Sequence, residues 1–379
     1  MTTETKPAEI IYIGTTTDTY AVQLLKNLSV YNEIKLALFD KYTGKKYHPN
    51  EITQSATEES GKIFKTGIIL KLYYLLRSNL RLHSIVIRSR NTTTFHILYL
   101  EIYHVLLFPY FLFSKKKLIL TFYGTDLMEA KRRLFRILYL PVVKCASQIT
   151  FLNDQYNTFF SSIFKKKYNS KIKVIRFGLS NLKHINELRN ISKNELNNIF
   201  NFPENKLCIT CGTYGGNNNN QQSILEELRK LPSNNKEKIH LIFPCTYGSS
   251  KHDIEGLEKK LIASGFSFTL LKNHLNNKEI AALRLMSTIL IHLPNHDQLS
   301  ASMVETLYAG GQVITGSWLP YDVIQKNGVE LNLISSFSEL NKRVTEIISQ
   351  QSIPLKNSEQ INKLFSWEAN IAHWRMLYS

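Results

Sequence analysis

Short apolar segments alternate with segments of helical spacing along nearly the whole chain. Glu9–Gly14 is the first apolar segment; a Thr-rich turn follows it, and Asp18 to Asn27 then has helical spacing. Strands that alternate with helices predict a parallel sheet with helices on both faces. This pattern indicates an α/β fold.

The alternation is interrupted once, at a polar segment from Ser180 to Pro203 that is rich in Asn and Lys. A fresh apolar segment, Lys206 to Cys211, begins a second series, and 379 residues are enough for two domains. We therefore predict doubly wound domains at 1-185 and 186-360, with a C-terminal helix at 361-379 that packs back on the first domain. The strands predicted for the first domain include Ile34–Phe39, Ser84–Ile87, Lys117–Phe122, Gln148–Leu152 and Lys171–Ile175, with a basic amphipathic helix at Gly67–Leu80.

The net charge of +17 implies an acidic partner, and the basic clusters precede residue 170. Anionic lipid and a phosphorylated substrate both fit, and a merely solvated surface remains an alternative. Nucleic acid is not predicted, because no zinc-finger, recognition-helix or aromatic RNP-type pattern occurs. The clusters are Arg88 with Arg90, Lys115–Lys117, Lys131–Arg133 with Arg136, and Lys165–Lys167.

The apolar stretch from His96 to Phe113 is interrupted by Glu101 and Pro109, which makes it a poor bilayer span. It is interpreted as a helix packed on a sheet or, alternatively, as a segment in the membrane interface. No apolar leader follows Met1, and the chain has four cysteines. A cytoplasmic protein is therefore expected.

Cofactor signals are weak. Cys208 and Cys211 form a C-x-x-C, but they fall on a predicted strand, where residues three apart point to opposite faces. The sequence also has no Asp-x-Asp pair. We predict neither a metal nor a cofactor.

The segment from Asp297 to Thr315 carries the strongest site signal. A strand runs into a polar loop that opens a helix near Ser300, Ala301 and Ser302, and the unpaired N–H groups of a helix start suit an anion such as a diphosphate. Glu305 follows Asp297 after seven intervening residues. In the alternative interpretation, Ser302 and Glu305 form a capping box and Glu305 merely closes the helix start.

A glycine-rich turn, Cys211–Asn217, follows the first strand of the second domain. Glycines permit close backbone approach to a phosphate or a sugar, although an ordinary tight turn would look the same. Gly212, Thr213 and Asn217 are the candidates there.

The spacing of Asp297 and Glu305 resembles the E-x7-E signature of group 1 GT-B glycosyltransferases, and the segment from Glu305 to Ile314 is similar to theirs. The resemblance implies a GT-B fold, two Rossmann-like doubly wound domains facing a central cleft. It also implies that Glu305 accepts hydrogen bonds from the nucleotide ribose, that the amides near Ser300–Ser302 hold the phosphates, and that Asp297 lies by the donor sugar. The chain departs from the family in having Asp297 for the first glutamate, Gln312 for a proline, and asparagines in place of an Arg and a Lys after Gly216.

Two first-domain turns supply candidates for the acceptor side. Asp126 follows a predicted strand in a segment that resembles the family's His-Gly-Thr-Asp, with Tyr123 in place of the histidine. Asp18 follows the first strand. Each carboxylate is a candidate base for an acceptor hydroxyl, and each equally suits a helix N-cap. Gly14, Thr15 and Arg88 complete the predicted acceptor side.

A further resemblance, over roughly residues 120 to 330, is to the bacterial transferases that add 4-acetamido-4,6-dideoxygalactose to the lipid-linked intermediate of enterobacterial common antigen. Tyr247 lies in a segment that is similar to theirs, and Tyr247 and His274 complete the predicted donor site. Together the resemblances imply a metal-independent hexosyltransferase or deoxyhexosyltransferase. Its donor would be a nucleotide-sugar, its acceptor a lipid-linked or surface-polysaccharide glycan, and its location the inner face of the cytoplasmic membrane. A noncatalytic membrane-associated scaffold and, less favoured, a polyanion-binding protein are the alternatives.

Overall fold

The computed structural model describes residues 8–31, 34–114, 116–153, 155–297, 299–349 and 357–378. The chain divides into two compact units, Met1–Gly178 with Trp367–Ser379, and Leu179–Ser366. Lys115, of the first-domain basic clusters, lies outside the described residues. Among the described residues, no helix is both long and apolar enough to cross a bilayer.

The first unit is built on a seven-stranded sheet in the order β3-β2-β1-β4-β5-β6-β7, parallel except for β3. Its strands are β1 (Ala8–Gly14), β2 (Ile34–Asp40), β3 (Lys46–Tyr47), β4 (Thr94–Leu98), β5 (Lys117–Phe122), β6 (Gln148–Phe151) and β7 (Ile172–Val174). Its α-helices are α1 (Thr19–Leu28), α2 (Gln54–Phe64), α3 (Ile68–Arg88), α4 (Phe108–Leu112), α5 (Thr125–Glu129), α6 (Arg133–Cys145) and α7 (Gln155–Phe164), with α18 (Trp367–Tyr378) from the C-terminal segment.

Helices cover both faces of this sheet, as the alternation predicts. Ile11 and Ile13 of β1 face a core shared with α3, α4 and α6, whereas Ile10 and Tyr12 face a core shared with α1 and α18. Successive strand residues point to opposite faces, so a fully buried strand serves two cores.

Two segments of the first unit differ from the sequence prediction. Ser84–Ile87 is not a strand but the last turn of α3, because its Val86 continues the buried side of a helix that packs on the sheet. His96–Phe113 is not one helix: it contains the end of β4, a 3-10 segment at Ile102–Leu107, and α4. The apolar composition of this stretch reflects a fully buried strand followed by core-facing turns.

The second unit contains a six-stranded, fully parallel sheet in the order β10-β9-β8-β11-β12-β13. Its strands are β8 (Leu207–Cys211), β9 (Ile239–Pro244), β10 (Ser267–Leu271), β11 (Ile289–His292), β12 (Gln312–Gly316) and β13 (Asn332–Ile334). Its helices are α8 (Asn181–Leu188), α9 (Lys193–Asn197), α10 (Gln221–Leu228), α11 (Ser233–Glu237), α12 (Lys251–Ile262), α13 (Asn277–Met286), α14 (Ala301–Ala309), α15 (Asp322–Gln325), α16 (Leu340–Ser349) and α17 (Ser358–Phe365). Cys208 and Cys211 lie in different cores of this unit.

The chain passes between the units at two short segments. Gly178 is the last residue of unit one before the chain enters unit two. A Cβ at this position would lie 2.4 Å from Cδ2 of Trp367, so only glycine fits. The C-terminal region is two helices rather than one, because Ser366 has extended backbone between α17 and α18. In α18, the Tyr378 hydroxyl lies 2.8 Å from Nδ1 of His96 and Trp374 donates to the Arg176 carbonyl, which fixes the helix to the first sheet.

Candidate active site

The second sheet reverses its strand order between β8 and β11. In open parallel sheets, ligands bind beyond the carboxyl ends of the strands at such a switch point, because the two flanking loops diverge there. The loops after β8 and β11 are the glycine-rich turn and the Asp297 loop of the sequence analysis. The fold therefore brings these two sequence signals together.

Close backbone contact shapes the loop after β8. Gly216 has φ of 99°, in the left-handed region that favours glycine, and a Cβ there would lie 2.8 Å from the carbonyl oxygen of Gly248. The Gly216 N–H donates to Oγ of Ser249 over 2.7 Å. Tyr214 stacks on Tyr247 with ring centroids 4.7 Å apart, so the loops after β8 and β9 pack against each other.

The asparagine run that follows this turn holds the two switch-point loops to each other. Oδ1 of Asn219 accepts from both the N–H and the hydroxyl of Thr213 at 3.1 Å, while Asn218 and Asn220 donate to the carbonyls of His296 and Leu293. Asn217 is exposed at the start of the run. Sequence reasoning placed only Asn217 in the site; the run itself was the available signal for its three neighbours.

Helix α14 begins at this edge of the sheet. Ser300 is its N-cap, and its hydroxyl accepts from the N–H of Met303 over 3.3 Å. The capping-box alternative for Ser302 and Glu305 is therefore wrong, since the box would require the N-cap at 302. Ala301 and Ser302 lie in the half-buried first turn, where N–H groups have no intrahelical acceptor.

Glu305 lies on α14 with only 7% of its surface exposed. Its Oε2 accepts from Nε of Arg284 over 3.1 Å, and Nη2 of Arg284 donates to Oγ of Ser302 over 2.7 Å. Burial raises the pKa of Glu305, and the guanidinium opposes that rise. Arg284 had no sequence signal, because nothing distinguishes it from other cations of a helix.

Asp297 is half-buried, and its Oδ2 accepts from the Tyr321 hydroxyl and lies 3.3 Å from Nε2 of His292. Nε2 of His292 also lies 2.9 Å from the Tyr321 hydroxyl oxygen. Asp297 is thus fixed in a three-residue cluster at the end of β11. His274, by contrast, is exposed after the edge strand β10, with β9 between that strand and β8.

In the first unit, Asp18 and Tyr123 meet at the carboxyl ends of β1 and β5. Asp18 caps α1, with Oδ1 accepting from the N–H groups of Tyr20 and Ala21, and its Oδ2 accepts from the Tyr123 hydroxyl over 2.9 Å. Burial raises the pKa of Asp18 against these hydrogen bonds, and burial together with Asp18 raises the pKa of Tyr123. Asp18 therefore does cap α1, and its role toward an acceptor hydroxyl stays a prediction.

Asp126 differs, being 0% exposed. Its oxygens accept from the N–H groups of Leu100, Tyr123, Gly124 and Leu127 at 2.8–3.4 Å, and burial raises its pKa to about 7. The prediction that it faces an acceptor hydroxyl requires correction, because its carboxylate is enclosed by the loop backbone. Asp126 organises the turn that carries Tyr123.

The remaining predicted acceptor-side residues lie at opposite ends of the strands of the first sheet. Gly14 ends β1 and Thr15 follows it. The Thr15 hydroxyl lies 2.8 Å from Oγ of Ser60 and donates to the buried Asp40, a carboxylate that the sequence analysis did not identify. Arg88 ends α3 and precedes β4, so it lies at the amino ends of the strands. Arg88 thus lies away from the strand ends at which Asp18 and Tyr123 meet, and its acceptor-side role stays a prediction.

No protein-family model and no curated protein matches the sequence. Solved structures do match. Sucrose-phosphate synthase from Thermosynechococcus elongatus aligns with a TM-score of 0.71 at 14% identity, over 98% of each chain. A glycosyltransferase from Rickettsia africae gives 0.72 at 13% identity over 98% of each chain, and Anabaena HepE in complex with UDP gives 0.66 at 14% over 97% of this chain and 99% of that one. At these identities the likeness concerns the fold, and the fold, with its two Rossmann-like parallel-sheet units, is that of the GT-B glycosyltransferases.

Proposed function

We propose that this protein is a glycosyltransferase that takes its sugar from a nucleotide-sugar donor. The observation that carries the proposal is the convergence, at the switch point of the second sheet, of a tight glycine turn, the start of α14 and the buried Arg284–Glu305 pair. Anabaena HepE, which shares the fold, was solved with UDP and with UDP-glucose, which supports a donor of this class.

In the proposed donor complex, the diphosphate lies at the start of α14 and beside the turn after β8. N–H groups there have no acceptor within the helix, and the helix dipole favours an anion. Glu305 accepts from the ribose hydroxyls while Arg284 holds its carboxylate in place. Asp297, held by Tyr321 and His292, orients the donor sugar.

The proposed reaction joins an acceptor hydroxyl oxygen to the anomeric carbon of the sugar. The bond between that carbon and the phosphate oxygen breaks, and the nucleoside diphosphate leaves with the electron pair. Asp18 takes the hydroxyl proton, for which its raised pKa suits a general base, and Tyr123 holds its second oxygen. Helix amides stabilise the departing charge, so activity is expected to survive a chelator such as EDTA.

For the acceptor we propose a lipid-linked or surface-polysaccharide glycan, with a hexose or deoxyhexose as the transferred sugar. A lipid-linked acceptor lies in the cytoplasmic membrane, and the charge of +17 suits an anionic membrane surface. The protein would then work at the inner face of that membrane.

A thermal-shift screen against nucleoside diphosphates and sugar nucleotides tests the donor proposal. A ligand at about 100 times its dissociation constant stabilises the folded state by about 2.7 kcal/mol, which is readily seen. Hits are then tested for release of the nucleoside diphosphate. If no nucleotide stabilises the protein at millimolar concentration, the proposed function is wrong.

A further inference from the structure

The exposed side of α3 is apolar. Ile69, Leu76 and Leu80 are 87%, 65% and 74% exposed, and Leu72 and Tyr73 are also exposed. These residues recur at intervals of three and four, so they form one stripe along the helix. We call this stripe, Ile69, Leu72, Tyr73, Leu76 and Leu80, the α3 stripe.

The opposite side of the same part of α3 is partly polar. Ser78 and Asn79 are buried against the unit, and Oδ1 of Asn79 has no hydrogen-bond partner. A helix that packs on a sheet normally buries its apolar side and exposes its polar one. In this half of α3 the fully buried residues are polar and the most exposed ones are apolar. Exposure of the stripe to water costs free energy that is recovered when the stripe is covered.

The charge of α3 identifies what covers it. The helix contains Lys71, Arg77, Arg81 and Arg88 but no Asp or Glu, and the exposed Lys62 and Lys65 precede it. A second copy of the chain packed stripe to stripe would bring these like charges together. An anionic lipid surface instead neutralises them while it accepts the apolar side chains.

Further exposed apolar residues lie on the same side of the first sheet. Helix α4 adjoins α3, with the Tyr110 hydroxyl 3.0 Å from Nδ1 of His83, and it ends at the exposed Leu112. Helix α6 packs beside α4 and exposes Leu134 and Ile137. Because α3, α4 and α6 share one core on that face of the sheet, their exposed sides turn away from it together.

We propose that the α3 stripe inserts into the interface of an anionic bilayer, with α3 lying in the membrane plane and its cations among the lipid headgroups. The membrane role rests on the proposed transfer to a lipid-linked acceptor, but lipid binding is measurable without any reaction. The inserted helix anchors the first unit, and the cations determine which lipids it selects.

The test is co-sedimentation with vesicles of phosphatidylglycerol and phosphatidylcholine, against vesicles of phosphatidylcholine alone. The triple variant Leu72→Ser/Leu76→Ser/Leu80→Ser should lose affinity at least about tenfold, since it removes three inserted side chains. Its fold should persist because none of the three is buried. The matched control Val30→Ser/Ile199→Ser/Ile262→Ser, which changes exposed apolar residues elsewhere, should bind like the wild type.

A charge variant separates insertion from electrostatic attraction. Lys62→Gln/Lys65→Gln/Arg77→Gln should lose about tenfold or more in about 50 mM salt, and little in about 500 mM salt, where the charges are already screened. Arg229→Gln/Lys238→Gln/Lys259→Gln removes the same charge from the second unit and should bind like the wild type.

Three results would overturn the proposal: no binding of the wild type to anionic vesicles, unchanged binding of the Leu72/Leu76/Leu80 variant, or a wild-type dimer that this variant dissociates without any vesicle binding. Calorimetric titration with the panel of nucleoside diphosphates and sugar nucleotides is performed on the same samples. Vesicle binding without binding of any of these nucleotides would leave the docking surface standing and remove the proposed function. The reverse result would remove only the docking surface.

Discussion

At the carboxyl ends of their strands, the two units differ in the side chains that accept hydrogen bonds from the loop backbone. In both units, the backbone N–H groups of the loops that follow the strands need hydrogen-bond acceptors. The first unit supplies carboxylates, with Asp40 and Asp126 fully buried and each accepting several backbone N–H groups. The second unit supplies an amide oxygen and a hydroxyl, through Asn219 and Ser249.

This difference suits the two edges to different tasks, proton acceptance and diphosphate binding. An edge rich in carboxylates repels a diphosphate but can accept a proton, whereas a neutral edge with helix N–H groups can hold the diphosphate. Asp297 and Glu305, in the segment that follows β11 at the switch point, are each held by partners, Asp297 by Tyr321 and Glu305 by Arg284. This difference is consistent with the proposal that the first unit activates the acceptor and the second binds the donor.

Replacement of Asp18 should have the largest effect on this division. Asp18→Asn removes the proposed base but keeps an oxygen for the helix cap, so kcat should fall roughly 10²-fold or more while donor affinity persists. Steady-state kinetics with calorimetric donor titration measures both. Tyr123→Phe, which removes only the hydroxyl that contacts Asp18, should lower kcat less. A normal rate for Asp18→Asn would place proton abstraction elsewhere.

Asp126 should make the stability of the first unit depend on pH. Burial raises its folded pKa to about 7 from an ordinary value of 3.8, so the folded state holds a proton that the unfolded state releases. The stabilisation by this proton is present below the unfolded pKa and is lost as pH rises towards the folded pKa. Unfolding free energy should therefore fall by roughly 2 kcal/mol between about pH 5 and about pH 7.

Tryptophan fluorescence during urea unfolding reports this change in the correct unit. In a Trp318→Phe background the remaining tryptophans, Trp367 and Trp374, both belong to the first unit. Asp126→Asn in that background should abolish the fall with pH. An equal pH dependence in both proteins would show that other groups cause it.

Glu305 tests the donor side of the comparison. Glu305→Ala should weaken binding of the preferred nucleoside diphosphate by about 1 to 3 kcal/mol, the value of a buried charge-assisted hydrogen bond. Glu305→Gln keeps the side-chain volume and one acceptor oxygen, so its loss should be smaller. Calorimetry measures both, and circular dichroism checks the fold because Arg284 loses its partner. Unchanged affinity in the alanine variant for every nucleoside diphosphate would exclude this role.

The sequence predicted the α/β fold in two Rossmann-like units because strand and helix periods are local properties. It also identified both switch-point loops of the second unit, since glycine turns and helix starts have local signatures. It did not predict Arg284 or Asp40, because their importance arises from contacts with Glu305 and Thr16 made only after folding. The short apolar run Ser84–Ile87 predicts a strand but forms the last turn of α3, because such a run does not distinguish a strand from a buried helix turn.

The smallest expected effect comes from placing a carboxylate, the acceptor typical of the first sheet's edge, at the edge of the second sheet. Asn218→Asp keeps the oxygen that accepts from the His296 N–H, loses the donation to the His296 carbonyl, and adds a negative charge to the asparagine run. Because Asn218 is only half-buried, the repulsion of a diphosphate should cost about 1 kcal/mol, a loss of about fivefold in affinity that shrinks as salt rises. Asn218→Ala loses both hydrogen bonds without adding charge, so any loss it shows should not depend on salt. If the two variants lose the same affinity with the same salt dependence, the asparagine run acts through loop geometry, and the neutrality of this edge is not what suits it to a diphosphate.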